Sequence, residues 1–347
     1  MTQVKAYAAF SATEKLKPFS ITRRTPSDYD VNIDITYCGV CHSDIHTARN
    51  EWEGTEYPIV PGHEIVGIVS SVGPKVTKYK AGDLVGVGCM VDSCKTCPSC
   101  EDHLEQYCEN GFTATYNSED KKHGGFTYGG YSQSIVVDEN FVLKIPTNLD
   151  AKAVAPVLCA GITMWSPLRQ WNVKPGDTVG IIGLGGLGHM GVKLAHAMGT
   201  KVVMVTTSPK KAEDGLKLGA HEVLISTDQT QMEKYREKFD LLINTIPRHH
   251  DLNPYLNLLK RDATMVIVGA VELLDKFHGG LLIMKRRRIA GSLIGGVKET
   301  QELLDFCGKH NITSEVEMIN IENINEAYDR TVKNDVKYRF VIDMKSL

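Results

Sequence analysis

Cys94, Cys97, Cys100 and Cys108 fall within fifteen residues and read C-x2-C-x2-C-x7-C. Thiolates are soft ligands that suit the tetrahedral preference of zinc, and four of them close its coordination shell. Such a site holds a loop in shape and leaves no position for substrate, so reaction chemistry must lie elsewhere. A disulfide framework is the alternative, and the x2 spacings favour chelation over it. Upstream, Cys38-Gly39-Val40-Cys41-His42-Ser43-Asp44-Ile45-His46 is followed by Pro61-Gly62-His63-Glu64, and Cys159 stands in Leu158-Cys159-Ala160-Gly161. Two thiolates and one imidazole make a zinc set that keeps its fourth position for water or substrate. Spacing alone does not join Cys41, His63 and Cys159, which are far apart in the chain. On the residues alone, each is equally well a member of a core.

A third kind of chemistry sits in Gly183-Leu184-Gly185-Gly186-Leu187-Gly188, which follows the apolar run Thr178 to Ile182 and opens a helical stretch to Met198. In that context the first glycine permits a tight turn and the second lets the backbone approach a pyrophosphate. The third lets helix and strand pack closely, while the helix amino terminus supplies partial positive charge. An acidic residue after the second strand would hold the ribose 2′-OH of NAD. This chain has Thr206-Thr207-Ser208-Pro209-Lys210-Lys211 there. Hydroxyls and an ammonium can bind a 2′-phosphate, so Thr206, Thr207, Ser208 and Lys211 point to NADP(H) rather than NAD. The plain alternative is an exposed turn with solvated lysines.

Two textures supply the elements that must position these groups. From Val4 to about Asp150, short alternating runs such as Val31 to Ile35, Ile65 to Val69 and Ser134 to Val137 are punctuated by glycine and proline, the pattern of a small all-β barrel. From Thr178, six apolar strands (178–182, 202–205, 223–225, 239–243, 263–268 and 288–292) alternate with helical segments such as 231–238 and 252–260. That order predicts an α/β, doubly wound parallel sheet. The segment 319–343 returns to strand–helix–strand texture and is expected to close the first domain. The expected organisation is therefore a discontinuous β domain of residues 1–151 and 296–347, with a nucleotide-binding domain of residues 152–295 inserted in it.

At 347 residues, with 42% hydrophobic and 23% charged residues, the chain is long enough for two cored domains of ordinary composition. A net charge of −3 gives no electrostatic case for nucleic acid or an anionic membrane. The acidic stretch Glu101 to Gln106 beside the four cysteines argues against a nucleic-acid-binding zinc ribbon. The basic run Lys285-Arg286-Arg287-Arg288 is expected to be a solvated lead into the last parallel strand. Met1 to Phe10 lacks a charged n-region followed by an apolar core and no apolar run of about 18 residues appears, so a cytoplasmic location is expected. Nine cysteines in a reducing compartment should be ligands or buried thiols, and Cys38, Cys89 and Cys307 lie in apolar stretches that suit small core residues.

The motifs Cys-Gly-Val-Cys-His-Ser-Asp, Pro-Gly-His-Glu, the four-cysteine lobe and Gly-Leu-Gly-Gly-Leu-Gly occur in one order. Together they resemble the zinc-containing medium-chain alcohol dehydrogenases, in the branch of the cinnamyl alcohol dehydrogenases and NADP-dependent aldehyde reductases. The resemblance runs over essentially the whole chain, including Leu-Cys-Ala-Gly-Ile-Thr at 158–163 and Gly-Ser-Leu-Ile-Gly-Gly at 291–296. It implies a GroES-like β-barrel catalytic domain, a Rossmann domain binding NADP(H), and two zinc ions per chain. Cys41, His63 and Cys159 would ligate the catalytic zinc, with Asp44 on the second nitrogen of His63. Glu64 would be an occasional ligand or exchange-assisting carboxylate, or else an ion-pair partner. Zinc would act as a Lewis acid and the nicotinamide, held in the interdomain cleft, as hydride donor. Ser43 would pass a proton to the substrate oxygen, replenished through the cofactor ribose and His46. Trp52, Tyr116 and Trp165 lie near the metal motifs and could line a pocket for aromatic or medium-length aldehydes, or simply pack the domains. Primary alcohols and aldehydes are the implied substrates and a homodimer the implied assembly. A polyol or sugar dehydrogenase on the same fold is the nearer rival; a zinc-free quinone reductase is disfavoured by the complete ligand set.

Overall fold

Alternation places Val31, Ile33 and Ile35 on one face of a strand, and the strand Asp30–Gly39 forms with all three buried. It is the centre of a seven-stranded sheet ordered Val316–Asn320, Arg339–Asp343, Asp30–Gly39, Ile65–Val72, Leu84–Val87 and Leu143–Lys144, with Ser134–Asp138 also paired to Asp30–Gly39. The register sets Val341 opposite Gly39 and Ile342 opposite Cys38. The chain's last strand therefore borders its first chemical motif, which is why the carboxy-terminal segment must return to this sheet. The helix His42–Ala48 starts directly beyond the strand, with Cys41 as its N-cap.

The computed structural model describes residues 1–269 and 273–347, and they divide into two units, Met1–Cys159 with Gly296–Leu347, and Ala160–Gly295. The first crossing lies later than the expected 151/152. The short helix Ala151–Val154 and the turn Ala155–Leu158 pack on the first unit's strands, where Gly86 makes room for Leu158: a Cβ at 86 would stand 3.0 Å from Leu158 Cδ1. That packing delivers Cys159 to the same unit as Cys41 and His63.

The second unit is a six-stranded parallel sheet. Its order is Glu222–Ile225, Lys201–Thr206, Thr178–Ile182, Phe239–Asn244, Leu259–Ile267, Arg288–Gly291, which in chain order is 3-2-1-4-5-6. This is the doubly wound order that brings a dinucleotide to the carboxyl ends of the strands. The helix expected over 252–260 is only Asn253–Leu256, because Leu258 and Leu259 are buried in the sheet core and the strand already begins at Leu259. A register break between Phe239 and Leu241 absorbs the extra residues, with Asp262 at φ 67°. The helix expected over 231–238 is Gln229–Lys234.

The basic run is more tied down than expected. Lys285 pairs with Glu237 at 3.0 Å, Arg286 with Asp262, and buried Arg287 donates to the carbonyl of Leu259 at 2.9 Å. Its charges are thus spent locally. No single helix among the described residues is long and apolar enough to cross a membrane.

Candidate metal centres and cofactor turn

The short spacings of the cysteine lobe fold it around its own sulfurs. Cys94 Sγ lies 3.9 Å from Cys100 Sγ, and Cys97 Sγ lies 4.0 Å from Cys108 Sγ. Four sulfurs about 2.3 Å from one zinc ion stand about 3.8 Å apart, so the lobe has the size of a zinc tetrathiolate. Disulfides need sulfurs about 2.0 Å apart, and all nine cysteines are free thiols. Backbone N–H groups already aim at the sulfurs, Cys94 N at Cys108 Sγ (3.5 Å) and Glu109 N at Cys97 Sγ (3.4 Å). The N–H of Thr96, foremost among several donors, draws Cys94 down to about 5, favouring the thiolate that a metal requires. No donor position is left over for chemistry.

The second cluster is open. Donor atoms of Cys41, His63, Glu64 and Cys159 all lie within 4.8 Å of one another, and Cys41 Sγ and Cys159 Sγ are 3.9 Å apart. Cys41 ends the strand–helix junction, His63 follows a glycine at φ 104°, and Cys159 arrives on the turn described above. Asp44 sits at the third helical position and accepts from the backbone N–H of Cys41 at 2.9 Å, a capping-box contact that orients the helix. Its other oxygen lies 3.0 Å from His63 Nδ1, which turns the second ring nitrogen toward the sulfurs. Burial opposes charge on His63, but Asp44 more than offsets it and holds the imidazole well above its ordinary pKa. The Cys41 thiol is drawn well down, first by the hydrogen bond from Cys159, whose own thiol is pushed up. A metal ion entering here therefore displaces protons.

Glu64 tests the fit of a cation. It is fully buried, one oxygen is ion-paired with Arg339, and the other, Oε2, has no hydrogen-bond partner among the described residues. Burial drives its carboxyl up to about 7 despite the guanidinium. A buried carboxylate with one oxygen unpartnered, belonging to a residue that contributes a donor atom beside two sulfurs and an imidazole, is what a bound divalent ion would satisfy. A Cβ at Gly39 would stand 1.9 Å from that oxygen, so only glycine leaves it room. Arg339, which also donates to the Val40 carbonyl at 2.8 Å, was missed in the sequence. Its signal was one arginine heading the apolar run Phe340-Val341-Ile342. Cys89 is also not the core residue expected. It is half-buried, with its sulfur 4.0 Å from the Leu158 carbonyl and beside Cys159.

The helix His42–Ala48 gathers several of the remaining candidates. Ser43 Oγ is 3.7 Å from Cys41 Sγ. His46, one turn on, is hydrogen-bonded to Glu51 and stacked on Trp52, ring centroids 5.0 Å apart. Trp52 is 45% exposed, whereas Tyr116 is buried with its ring 5.6 Å from that of His63. Trp165 belongs to the second unit, buried in the helix Ala160–Gln170 with the Arg169 guanidinium over its ring.

In the second unit the three glycines behave as their motif requires. Gly183 has φ 95°; nothing lies within 4 Å of a Cβ at Gly185; a Cβ at Gly188 would stand 1.9 Å from the Gly183 carbonyl. The first makes the turn, the second leaves open space, and the third packs helix Gly188–Ala197 against the strand. Leu184 is buried, while Gly186 and Leu187 are half-buried in the turn. Thr206 Oγ1 accepts from Ser208 N at 3.2 Å and Thr207 is exposed. Half-buried Lys211 reaches back over the turn, its Nζ 2.8 Å from the Leu184 carbonyl, and burial lowers its pKa.

A closed tetrathiolate site, an open site of two thiols and an imidazole, and a 3-2-1-4-5-6 sheet with a dinucleotide turn define a metal-using, dinucleotide-dependent oxidoreductase. Residues 27–147 match the family described as alcohol dehydrogenase GroES-like domain, and residues 186–309 match the zinc-binding dehydrogenases. The chain is 56% identical over 347 residues to the aldehyde reductase YahK of Escherichia coli, covering 99% of each. Among solved structures it resembles a cinnamyl alcohol dehydrogenase of Sorghum bicolor (43% identity, TM-score 0.96, covering 99% and 98%). It also resembles the CAD of Helicobacter pylori complexed with NADP(H) (44% identity, TM-score 0.93, covering 99% of each). The chain belongs to the zinc-binding, GroES-like alcohol dehydrogenase family.

Proposed function

We propose that the chain is a zinc-dependent NADP(H) oxidoreductase that interconverts primary alcohols and aldehydes, working on aromatic or medium-chain aldehydes with broad tolerance. The observation that carries this reading is the donor set itself, with atoms of Cys41, His63, Cys159 and the buried Glu64 carboxylate all within 4.8 Å of one another. Those three residues would hold the catalytic zinc and Cys94, Cys97, Cys100 and Cys108 the structural one. When bound, zinc supplies Lewis acidity and NADPH supplies the hydride. Ser43 would hand a proton to the substrate oxygen and His46 would restore it from solvent, a reading supported by Ser43 lying beside Cys41 and by half-buried His46 resting on Glu51 and Trp52. The Gly183–Gly188 turn cradles the pyrophosphate. Thr206, Thr207, Ser208 and Lys211 would take the 2′-phosphate, a role favoured by the half-buried lysine beside the turn, its Nζ at the Leu184 carbonyl. Trp52 and Tyr116 flank the helix that carries Ser43 and are the first candidates for a substrate wall, with Trp165 a further one. Glu64 would join the metal transiently, because its carboxylate is already committed to Arg339 on one side.

Two features support the expected setting. Nine free cysteines suit a reducing compartment, the cytoplasm. Among the described residues Arg288–Gly291 is the end strand of its sheet, and Leu273, Phe277, Ile283 and Met284 are exposed, features a second copy would cover. The decisive experiment is an NADPH-oxidation screen across aromatic, aliphatic and sugar aldehydes with zinc counted per chain. Aromatic or medium-chain aldehydes and two zinc ions are expected; a preference for sugars would move the chain to the polyol dehydrogenases, and a single zinc would remove one site.

A further inference from the structure

Asp44 aims His63, and something must in turn hold Asp44. Its carboxylate is wholly buried and accepts four hydrogen bonds. Oδ1 takes the Gly62 N–H and His63 Nδ1, each at 3.0 Å. Oδ2 takes the Cys41 N–H at 2.9 Å and the Tyr131 hydroxyl at 3.2 Å. Two of these donors are backbone and one is the histidine itself, so among the described residues Tyr131 is the one further side chain hydrogen-bonded to the carboxylate. No lysine or arginine is ion-paired with Asp44 among the described residues.

Tyr131 is locked to the segment that carries His63. Its ring is fully buried, Gly130 N donates to the Gly62 carbonyl at 2.8 Å and Tyr131 N to the Pro61 carbonyl at 3.0 Å. The approach is so close that a Cβ at Gly129 would stand 2.4 Å from the Pro61 and Gly62 carbonyl oxygens, and one at Gly62 would stand 2.8 Å from the Tyr131 ring. The Gly-Gly-Tyr run at 129–131 and the Pro-Gly-His run at 61–63 are thus hydrogen-bonded side by side at close range, with the Tyr131 hydroxyl on Asp44.

We propose that Tyr131 is a positioning residue of the open metal centre: its O–H fixes the rotation of the Asp44 carboxylate and, through it, the tautomer and aim of His63. Outer partners of this kind set metal affinity because a ligand that swings out of line loses its bond before it loses its basicity. The inference rests on the reading that Cys41, His63 and Cys159 hold zinc.

Tyr131→Phe tests it, since phenylalanine refills the core and removes only the hydroxyl. In competition with a chromophoric chelator, the zinc of the open site should be held about 10-fold more weakly, the lower end of what loss of an outer partner costs a metal site. The zinc of the four-cysteine lobe should be unchanged, which also reports that the chain is folded. In cobalt-substituted protein, the ligand-field bands of the histidine-containing centre should shift and those of the tetrathiolate centre should not. In an Asp44→Asn background the same Tyr131→Phe change should add less than about twofold, because its path to His63 is already cut. Affinity within twofold of wild type with unmoved cobalt bands, or a full and additive loss in the Asp44→Asn background, overturns the proposal and leaves the zinc reading standing. Wild-type protein that binds a single zinc, in the four-cysteine lobe, overturns both.

Discussion

Arg339→Met breaks the buried ion pair behind the open centre. Arg339 is 5% exposed and Glu64 fully buried, and the guanidinium makes its hydrogen bonds to Glu64 Oε1 and, at 3.2 and 2.8 Å, to the Val40 carbonyl. Removing one member of such a pair typically costs about 3–5 kcal/mol, since the remaining charge is left in a poor solvent. Two features place this case at the lower end. Methionine refills most of the arginine stem, and Glu64 has an escape: with a carboxyl already up at about 7 it takes a proton near neutrality rather than staying charged. A loss of about 3 kcal/mol in a unit of roughly 200 residues lowers its Tm by about 6–12 °C. The assay is thermal unfolding of metal-free protein at neutral pH for wild type, Arg339→Met, Glu64→Gln and the double variant. If the loss comes from a stranded carboxylate, Arg339→Met should cost at least about 1 kcal/mol less in the Glu64→Gln background. A single-variant loss below about 1 kcal/mol, or strictly additive losses, would refute the reasoning, because the pair would then be no more than two independently solvated groups.

The remaining expectations are shorter. Glu64 carries a folded-state pKa near 7, above its usual 4.5, so it binds its proton more tightly folded than unfolded. Its contribution is full below 4.5 and is lost as pH rises through 7, up to about 3 kcal/mol, so the stability of metal-free wild type should fall against Glu64→Gln over that range; parallel denaturation curves would count against the shift. Cys97→Ser should reduce zinc from two ions to one and cost about 3 kcal/mol, the closure entropy of a fifteen-residue crosslinked loop, with activity falling only as the lobe loosens; unchanged stability would sink the structural assignment. Ser43→Ala should retain both metals and lose about 100-fold in kcat, and an undiminished kcat would remove serine from the proton path. Lys211→Ala should raise KM for NADPH by about 10- to 100-fold and leave NADH nearly unaffected, the pattern of a lost charge-assisted contact; equal effects on the two cofactors would show that the lysine does not read the phosphate.

How far the sequence reached depended on how local each interaction is. The four cysteines and the Gly183–Gly188 turn are each one short segment closing on itself, so spacing and glycine placement carry their geometry directly. The six parallel strands were legible for a related reason: strands buried on both faces read as apolar runs whatever their neighbours. The open centre was different. Cys41, His63 and Cys159 come from three separated segments that only the seven-stranded sheet and the turn over Gly86 bring together, and on residue types alone they were indistinguishable from core. Likeness to a family supplied the grouping; the chain's own spacing did not.

What stayed hidden is the layer behind those ligands, for one physical reason. A polar residue is marked in a sequence by its type, but whether it is buried is decided by the strand beside it. Arg339 heads an apolar strand and would pass for an edge residue facing water. It is buried because residues 341–343 pair with residues 37–39, which sets the guanidinium against Val40 and Glu64. Tyr131 looks like one more aromatic in a glycine-rich loop until the 129–131 segment is seen bonded to residues 60–62. Both residues hold a carboxylate that faces the same donor set, Arg339 through Glu64 and Tyr131 through Asp44. The open centre is thus supported from two directions, by a counter-charge on Glu64 and a neutral hydroxyl on Asp44, from residues that belong to no metal motif. This explains why the last strand of the chain cannot be separated from the first motif. Without Arg339–Asp343, Glu64 would lose its counter-charge and the strand bearing Cys38 and Gly39 would lose an edge. The ligands could all be present and the centre still fail to assemble.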